Sequence, residues 1–496
     1  MKKINIVFPK EIGTIAPEIY GHFTEHIGGV IYDGIYVGKG HSCADENGFR
    51  KYIVEKLKAI NAPVIRWPGG CFAEIYNWKD GIGDNRPTRL SWWTKHDDKY
   101  ESNEVGTHEF MTFCESVGAK PYFAVNVTSS TPMDAVRWMD YCMSKPGTTT
   151  LAAEREKNGR REPFDIPYFG VGNENWGGGG NMRPEYYADI YRQYSELMDY
   201  MPFNTALIAG GANSGDYNWT HKFCENIENS SKHVYGYSLH YYTGFMNPDD
   251  DPVTFTKNNW YTLLYNGAEI ETLIDRHWAI IKGRGLEKKC RFVIDEWGAW
   301  HKEGTGPSKG KNLFEQQSSM RDAMLSAITL NIFNNNCEKI LMANVAQLVN
   351  NLHCLFLSED DKCITTPTYH VFDMYKTHQS GQAVETIVEC DDVEFDLNGK
   401  KQTIKSISAS ASVKDGRVTL TVANISADDD AQIEICSLGA KADETLNLTI
   451  LTHSDYHAYN TFENPDNVKL TYAKEKGNVI TVPRASVVAV QFNVKK

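Results

Sequence analysis

Eight short apolar runs recur along the first 376 residues, each ending in glycine or a polar residue, and helical spacing follows most of them. They cover residues 19–25, 63–69, 121–126, 167–172, 205–210, 234–240, 291–295 and 339–344. Bounded apolar runs of this length fit strands buried on both faces. Between them, residues 51–60 place Ile53, Val54, Leu57 and Ile60 on one helical face. Residues 268–282 do the same with Ile270, Leu273, Ile274, Trp278 and Ile281. Pro184 opens a further helix, since proline suits the first turn. Eight strand–helix repeats predict an α/β fold of the (β/α)8 TIM-barrel type over residues 19–376, with its site at the C-terminal strand ends.

The pattern changes after about Lys376. Residues 406–413, 417–422 and 479–492 alternate with period two or are rich in β-branched side chains, and turns such as Lys414-Asp415-Gly416 separate them. This predicts a C-terminal all-β sandwich, jelly-roll-like, over residues 377–496. The run Lys3-Ile4-Asn5-Ile6-Val7-Phe8 precedes the barrel, and residues 1–18 are expected to add a strand to that sandwich.

Composition narrows the partners. A net charge of -13 argues against nucleic acid, which requires clustered Lys and Arg, and gives no reason to expect an anionic membrane. No run approaches the roughly 18 apolar residues of a membrane span. The 11 cysteines are an odd number without a Cys-x-x-Cys pair, which is neither a disulfide framework nor a zinc ribbon. With no secretory signal pattern at the N-terminus, these features predict a cytoplasmic protein acting on small imported substrates.

Two strand ends carry the candidate chemistry, Gly172-Asn173-Glu174 and Asp295-Glu296-Trp297. A strand-end glutamate is often only a helix-cap neighbour or a surface charge. Here both flanking segments are apolar, so burial is expected to push carboxyl pKa values upward and keep one acid protonated near neutral pH. Strands four and seven lie near each other across a barrel mouth, where two carboxylates about 5 Å apart suit double displacement with retention. Glu296 is then the nucleophile and Glu174 the general acid/base. His240 and Tyr242 end strand six and are expected to hydrogen-bond the nucleophile, although a histidine there also fits a plain core role. Arg66-Trp67-Pro68-Gly69-Gly70-Cys71 ends strand two, its glycines allowing close backbone approach. The run 177–180 lacks phosphate-loop spacing and reads as a flexible rim loop. Asp249, Asp250 and Asp251 read as a solvated acidic loop. No His/Cys cluster has metal-site spacing, so no metal or cofactor is expected.

Taken together and in order, these motifs resemble glycoside hydrolase family 51, the intracellular-type α-L-arabinofuranosidases. The resemblance runs from Tyr20-Gly21-His22-Phe23-Thr24-Glu25 through residues 66–70, 76–83 and 106–110, then Asn173-Glu174, Asp295-Glu296-Trp297 and residues 342–350 into the sandwich. It implies an exo-acting, retaining enzyme that releases terminal α-L-arabinofuranosyl groups from arabinose-containing oligosaccharides. It further implies that Glu25, Arg66, Asn173, Tyr242 and Gln347 line the sugar site, with Trp93 and Trp176 as stacking candidates for the aglycone, and a homo-oligomer, frequently a hexamer. Two departures sit at the mouth. Cys71 stands where many members carry Asn, and Asn175-Trp176 followed by four glycines replaces a more usual Met-Asp-Gly-Pro-Trp type. Two other readings share this scaffold: a related retaining β-glycosidase (β-xylosidase or endoglucanase), and a non-catalytic sugar-binding protein. The sandwich reads as support for the barrel in preference to a carbohydrate-binding module.

Overall fold

The computed structural model describes residues 1–96, 99–245 and 250–495. The eight apolar runs form eight parallel strands: Gly21–Phe23, Val64–Trp67, Lys120–Val125, Tyr168–Val171, Ala206–Asn213, Gly236–Thr243, Arg291–Ala299 and Ile340–Val345. Each pairs with the next in chain order, and the eighth pairs with the first, so the sheet closes into the expected barrel. Inward-pointing Val64, Tyr122, Tyr168, Ile208, Val293 and Met342 plug its interior, as layered side chains do in such barrels. Outward residues such as Phe123, Phe169 and Phe292 join the larger core beneath the helices.

The helices bury the faces that the spacing predicts. Lys51–Ala59 buries Ile53, Val54 and Leu57, and Ile270–Gly283 buries Ile270, Leu273, Ile274 and Ile281. Pro184–Asp199 starts on its proline. One long helix escaped the periodicity. Met320–Asn335 is buried on every side through Asn334 because it lies between the barrel and the C-terminal sheet. A helix covered all round has no polar stripe to betray its period. Its Asn331 and Asn334 bond Thr421 at 2.8 Å and Ser410 at 3.0 Å in the sheet.

The C-terminal region is β-rich: nine of its strands join the N-terminal strand in one ten-stranded sheet folded around its own core, and Asp392–Leu397 and Lys400–Lys405 form a separate hairpin. The N-terminal strand Lys2–Thr14 lies inside it, antiparallel to Gln382–Glu389 and parallel to Ala431–Leu438. Ile4 and Ile6 therefore share a core with Val418, Leu420, Ile433 and Val488. The run 479–492 is two strands, Val479–Val482 and Ser486–Lys495, with different partners. Pro483, which has no N–H to give a ladder, falls at the break.

Among the described residues no helix is long and apolar enough to cross a membrane. The acidic loop departs from its solvated reading. Asp249 lies outside the described residues, but Asp250 is buried, with His301 Nδ1 at 2.8 Å and Arg321 at 2.9 Å. Those partners come from the end of the seventh strand and from the buried helix, far away in sequence.

Candidate active site

The strand ends converge as the barrel requires. Glu25 follows the first strand, Arg66 ends the second, Glu174 follows the fourth, His240 and Tyr242 lie in the sixth, Glu296 in the seventh, and Gln347 follows the eighth. At the fourth strand the turn is unusual: Gly172 has φ +87° and Glu174 has φ +43°. Two left-handed residues so close together re-aim the chain and swing the Glu174 side chain over the mouth. In the seventh strand the register slips between Val293 and Glu296 against the sixth. Such an irregularity re-aims side chains, and consecutive Asp295 and Glu296 both reach His240, at 3.0 and 3.4 Å.

Glu296 is nearly buried and held from two sides. Arg66 donates to its Oε1 at 2.8 Å, and the Tyr242 hydroxyl donates to its Oε2 at 2.8 Å. Arg66 also donates to Asn173 Oδ1 at 2.5 Å and stacks on Phe23, 4.6 Å from the ring centre. His240 differs from expectation in its nearest partner. Its Nδ1 meets Glu174 Oε1 at 2.9 Å, closer than Glu296, while its Nε2 meets Asp295. With a carboxylate at each nitrogen, the imidazolium form donates to both.

The electrostatics follow from this crowding. Burial lowers the affinity of His240 for a proton, but the charges of Glu296 and Asp295 outweigh burial and lift its pKa to about 10. Asp295 is buried too, yet Arg66 and His240 hold its carboxyl well below the usual range. Glu296 is pushed above its ordinary value by burial and by Glu174, against the pull of His240 and Arg66. Burial, then the charge of Glu296, raises Glu25 to about 8. The upward shift expected of the catalytic carboxyls thus falls on Glu296, and on Glu25 as well.

A cavity of about 400 Å³ opens over these groups. Glu25, Cys71, Glu174, Tyr242, Glu296 and Gln347 face it, with Trp93 and Trp176 on its walls. Arg66, Asn173 and His240 stand behind that surface, each almost fully buried. The glycine pair of the second strand approaches Glu25: a Cβ on Gly70 would lie 2.9 Å from both Glu25 oxygens. Phe72 N–H donates to Glu25 Oε1 at 2.9 Å and Gln347 Nε2 to Oε2 at 3.1 Å. Gln347 Oε1 is buried without a partner. Cys71 Sγ sits 3.7 Å from Glu174 Oε2 and 3.9 Å from Asn173 Nδ2. Burial, then the charge of Glu174, pushes its thiol pKa up, so it stays a neutral SH. Residues 177–180 form a tied turn: Gly177 and Gly179 donate to Glu174 O, and Thr128 donates to Gly179 O at 2.7 Å.

Glu174, His240 and Glu296 present ligand-type atoms within 4.8 Å of one another, a spacing a metal ion accepts. The imidazole nitrogens, however, already face Glu174 and Asp295. Sequence reasoning missed Asp295 and the rim aromatics Phe245, Trp300 and Phe314, which also line the cavity. Asp295 had a signal, standing beside Glu296 on a strand end; Phe245 and Phe314 come from long loops and had none.

The comparisons with known proteins fit this geometry. A family model described as the α-L-arabinofuranosidase 1 domain matches residues 56–252, and one described as the α-L-arabinofuranosidase C-terminal domain matches residues 295–486. An intracellular exo-α-L-arabinofuranosidase of Bacteroides ovatus is 38% identical over 494 residues, spanning 97% of this chain and 93% of that one. The chain belongs to the α-L-arabinofuranosidases of glycoside hydrolase family 51. A family 51 arabinofuranosidase structure from Xanthomonas axonopodis pv. citri superposes with a TM-score of 0.92 at 34% identity, covering 99% of this chain and 100% of that one. The arabinose complex of the Thermotoga maritima α-L-arabinofuranosidase gives 0.83 at 29% identity, with the same coverage. Family 51 membership covers barrel and sheet alike, since the matched region 295–486 and both structural overlays extend into the C-terminal strands.

Proposed function

We propose that this chain is an exo-acting α-L-arabinofuranosidase that works by double displacement with retention, Glu296 serving as nucleophile and Glu174 as acid/base. The observation that carries the mechanism is the spacing: one oxygen of each carboxylate lies within 4.8 Å of the other. Retaining pairs stand at about 5 Å, whereas inverting pairs stand roughly 6.5–9.5 Å apart to admit a water. In the first step a Glu296 oxygen attacks the anomeric carbon as its bond to the leaving oxygen breaks, and Glu174 gives its proton to that oxygen. In the second, the Glu174 carboxylate takes a proton from water, the hydroxide oxygen bonds the anomeric carbon, and the Glu296 ester bond breaks.

The surrounding groups fit these roles. Arg66 and Tyr242 fill the acceptor sites of ionised Glu296 and so favour its charged form. His240 spans Glu174 and Asp295 and steadies the proton donor. Glu25, partly protonated near its raised pKa, and the free acceptor Gln347 Oε1 suit the hydroxyls of a terminal furanose. Asn173 is assigned to the hydroxyl beside the reacting carbon, and Trp93 and Trp176 to the aglycone. The substrates are arabinose-containing oligosaccharides. The Bacteroides ovatus relative is named intracellular, which supports action on imported oligosaccharides in the cytoplasm. A homo-oligomer belongs to the proposal through family resemblance, and sedimentation velocity would measure it.

The test is hydrolysis of 4-nitrophenyl α-L-arabinofuranoside beside the β-D-xyloside and β-D-glucoside, with wild type and Glu296→Ala. Turnover of the arabinofuranoside, lost in the variant, is expected. Preference for a β-D-glycoside would place the chain with the β-glycosidases, and Cys71 with the 177–180 turn would be the first places to look.

A further inference from the structure

Glu74 has no place in the chemistry above, yet it is fully buried and fully used. It lies in the short helical turn Cys71–Ile75 that follows the second barrel strand. Its Oε1 accepts the backbone N–H of Asn173 at 2.7 Å and the side-chain amide of Asn175 at 2.9 Å. Its Oε2 accepts the backbone N–H groups of Val127 and Thr128 at 2.8 and 2.9 Å. One carboxylate therefore joins the second, third and fourth strand ends. All four donors are uncharged N–H groups. Burial raises its pKa despite them.

The placement of those contacts is specific. Asn173 and Asn175 flank Glu174 on either side, and Glu174 itself holds φ +43° after Gly172 at φ +87°. A turn with two left-handed residues persists only where its surroundings over-determine it. The Glu174 side chain is tied by His240 from across the mouth, but the Asn173 backbone before it and the Asn175 side chain after it are tied through Glu74. The same short turn also delivers Cys71 Sγ to Glu174 Oε2 at 3.7 Å.

We propose that Glu74 is a positioning residue for proton transfer: it fixes the turn that carries Glu174, and so fixes where the Glu174 carboxyl stands relative to the glycosidic oxygen. This rests on the reading of Glu174 as the acid/base. Glutamine at position 74 would keep the shape but turn an NH₂ group toward N–H donors, so two of the four bonds are lost and the turn relaxes. A displacement of the donor by about 1 Å costs on the order of 10²-fold in rate. That loss depends on the leaving group. A 4-nitrophenolate departs without a proton, whereas a sugar alkoxide needs one.

The experiment compares wild type, Glu74→Gln, Glu74→Asp and Glu174→Ala on 4-nitrophenyl α-L-arabinofuranoside and on an α-1,5-linked arabinobiose, with and without sodium azide. For Glu74→Gln we expect kcat on the disaccharide to fall by about 10²-fold, a much smaller fall on the nitrophenyl substrate, KM nearly unchanged, and partial rescue of the nitrophenyl reaction by azide. Glu74→Asp, which keeps the charge and the acceptors, recovers part of the loss. An equal loss on both substrates with no response to azide, while Glu174→Ala shows both signatures, overturns the inference and leaves Glu74 a purely structural residue. If Glu174→Ala itself shows neither signature, the acid/base assignment falls and the inference falls with it. Should Glu74→Gln fail to fold, Asn175→Ala removes one of the four bonds, and the same leaving-group split, smaller in size, is the expected result; an even loss overturns the inference.

Discussion

Two buried clusters of acids and bases sit at the same end of the barrel, and one of them lines the cavity that Glu174 and Glu296 share. At the mouth, Glu25, Glu174, Asp295 and Glu296 share two cations, Arg66 and His240. Behind the seventh strand, Asp250 and Asp322 meet His301 and Arg321, with His353 Nδ1 3.3 Å from Asp322. Titration is perturbed in both. Burial opposes the charge on Asp322, but His301 and His353 hold its carboxyl far below the usual range. His301 is raised, burial being outweighed by Asp322 and its hydrogen bonds. A shifted pKa therefore does not by itself mark a site. What differs is the balance of charge and the open space. The cluster behind the seventh strand has a base for each acid, and its Asp250 borders a separate, smaller cavity of about 280 Å³. The mouth has spare carboxyls, raised where the others are lowered, and a cavity of about 400 Å³ in which substrate can meet them.

The most forceful way to break the comparison is to delete one acid from each cluster. Glu296→Ala is expected to reduce kcat by about 10⁴-fold or more while leaving the melting temperature near wild type, because it relieves like-charge crowding. Asp322→Ala does the reverse. It strands buried cations and is expected to cost about 3–5 kcal/mol of stability, with kcat per folded molecule little changed. Urea unfolding and active-site titration of both variants would check this. If Asp322→Ala cut kcat as deeply as Glu296→Ala, the two clusters would not be separable.

Asp295 tests the border between them, since it is balanced like the cluster behind the seventh strand yet supports the mouth. Asp295→Asn removes the charge that faces His240 Nε2 at 3.0 Å and Arg66 Nε at 3.6 Å. A kcat loss on the order of 10²-fold is expected, with the basic limb of the pH–rate profile moved to lower pH because His240 gives up its proton sooner.

Stability against pH sharpens the comparison further. His240 is raised from 6.5 to about 10, so its contribution is fully present below pH 6.5 and is lost as pH rises through about 10. Glu25 is raised from 4.5 to about 8. The folded state then keeps a proton that the unfolded chain releases, so stability also falls between pH 4.5 and 8. Wild type should lose a few kcal/mol across these windows. Glu25→Gln should flatten the lower window and His240→Gln the upper, as thermal melts across pH would show. The smallest effect is expected of Cys71→Asn, where a weak contact of 3.7 Å gives way to an amide. A change in kcat of less than about 10-fold is expected, read on the arabinofuranoside.

Much of this architecture is legible in the chain. Short apolar runs bounded by glycine or polar residues located all eight barrel strands, because each strand is buried on both faces and carries no polar alternation. The two catalytic candidates were visible for the same reason: a carboxylate at the end of an apolar run has nowhere to go except a cleft. The helix Met320–Asn335 was not visible, since burial on all sides erases its period. Asp250 looked solvated because its bases come from His301 and Arg321, more than 50 positions away. Glu74 sits on a short turn between strands, where sequence offers no pattern, and its partners come from two other strand ends. His240 was expected on Glu296, but the irregular register of the seventh strand brings Asp295 beside it and leaves Glu174 nearest.

The central claim is that Glu174 and Glu296 stand close enough for a covalent intermediate. The direct measurement is the configuration of the arabinose first released from an α-L-arabinofuranoside, followed by proton NMR before mutarotation. The account predicts that the α-anomer appears first and the β-anomer only later. The β-anomer appearing first would mean inversion through a single displacement, and would contradict the assignment of Glu296 as nucleophile.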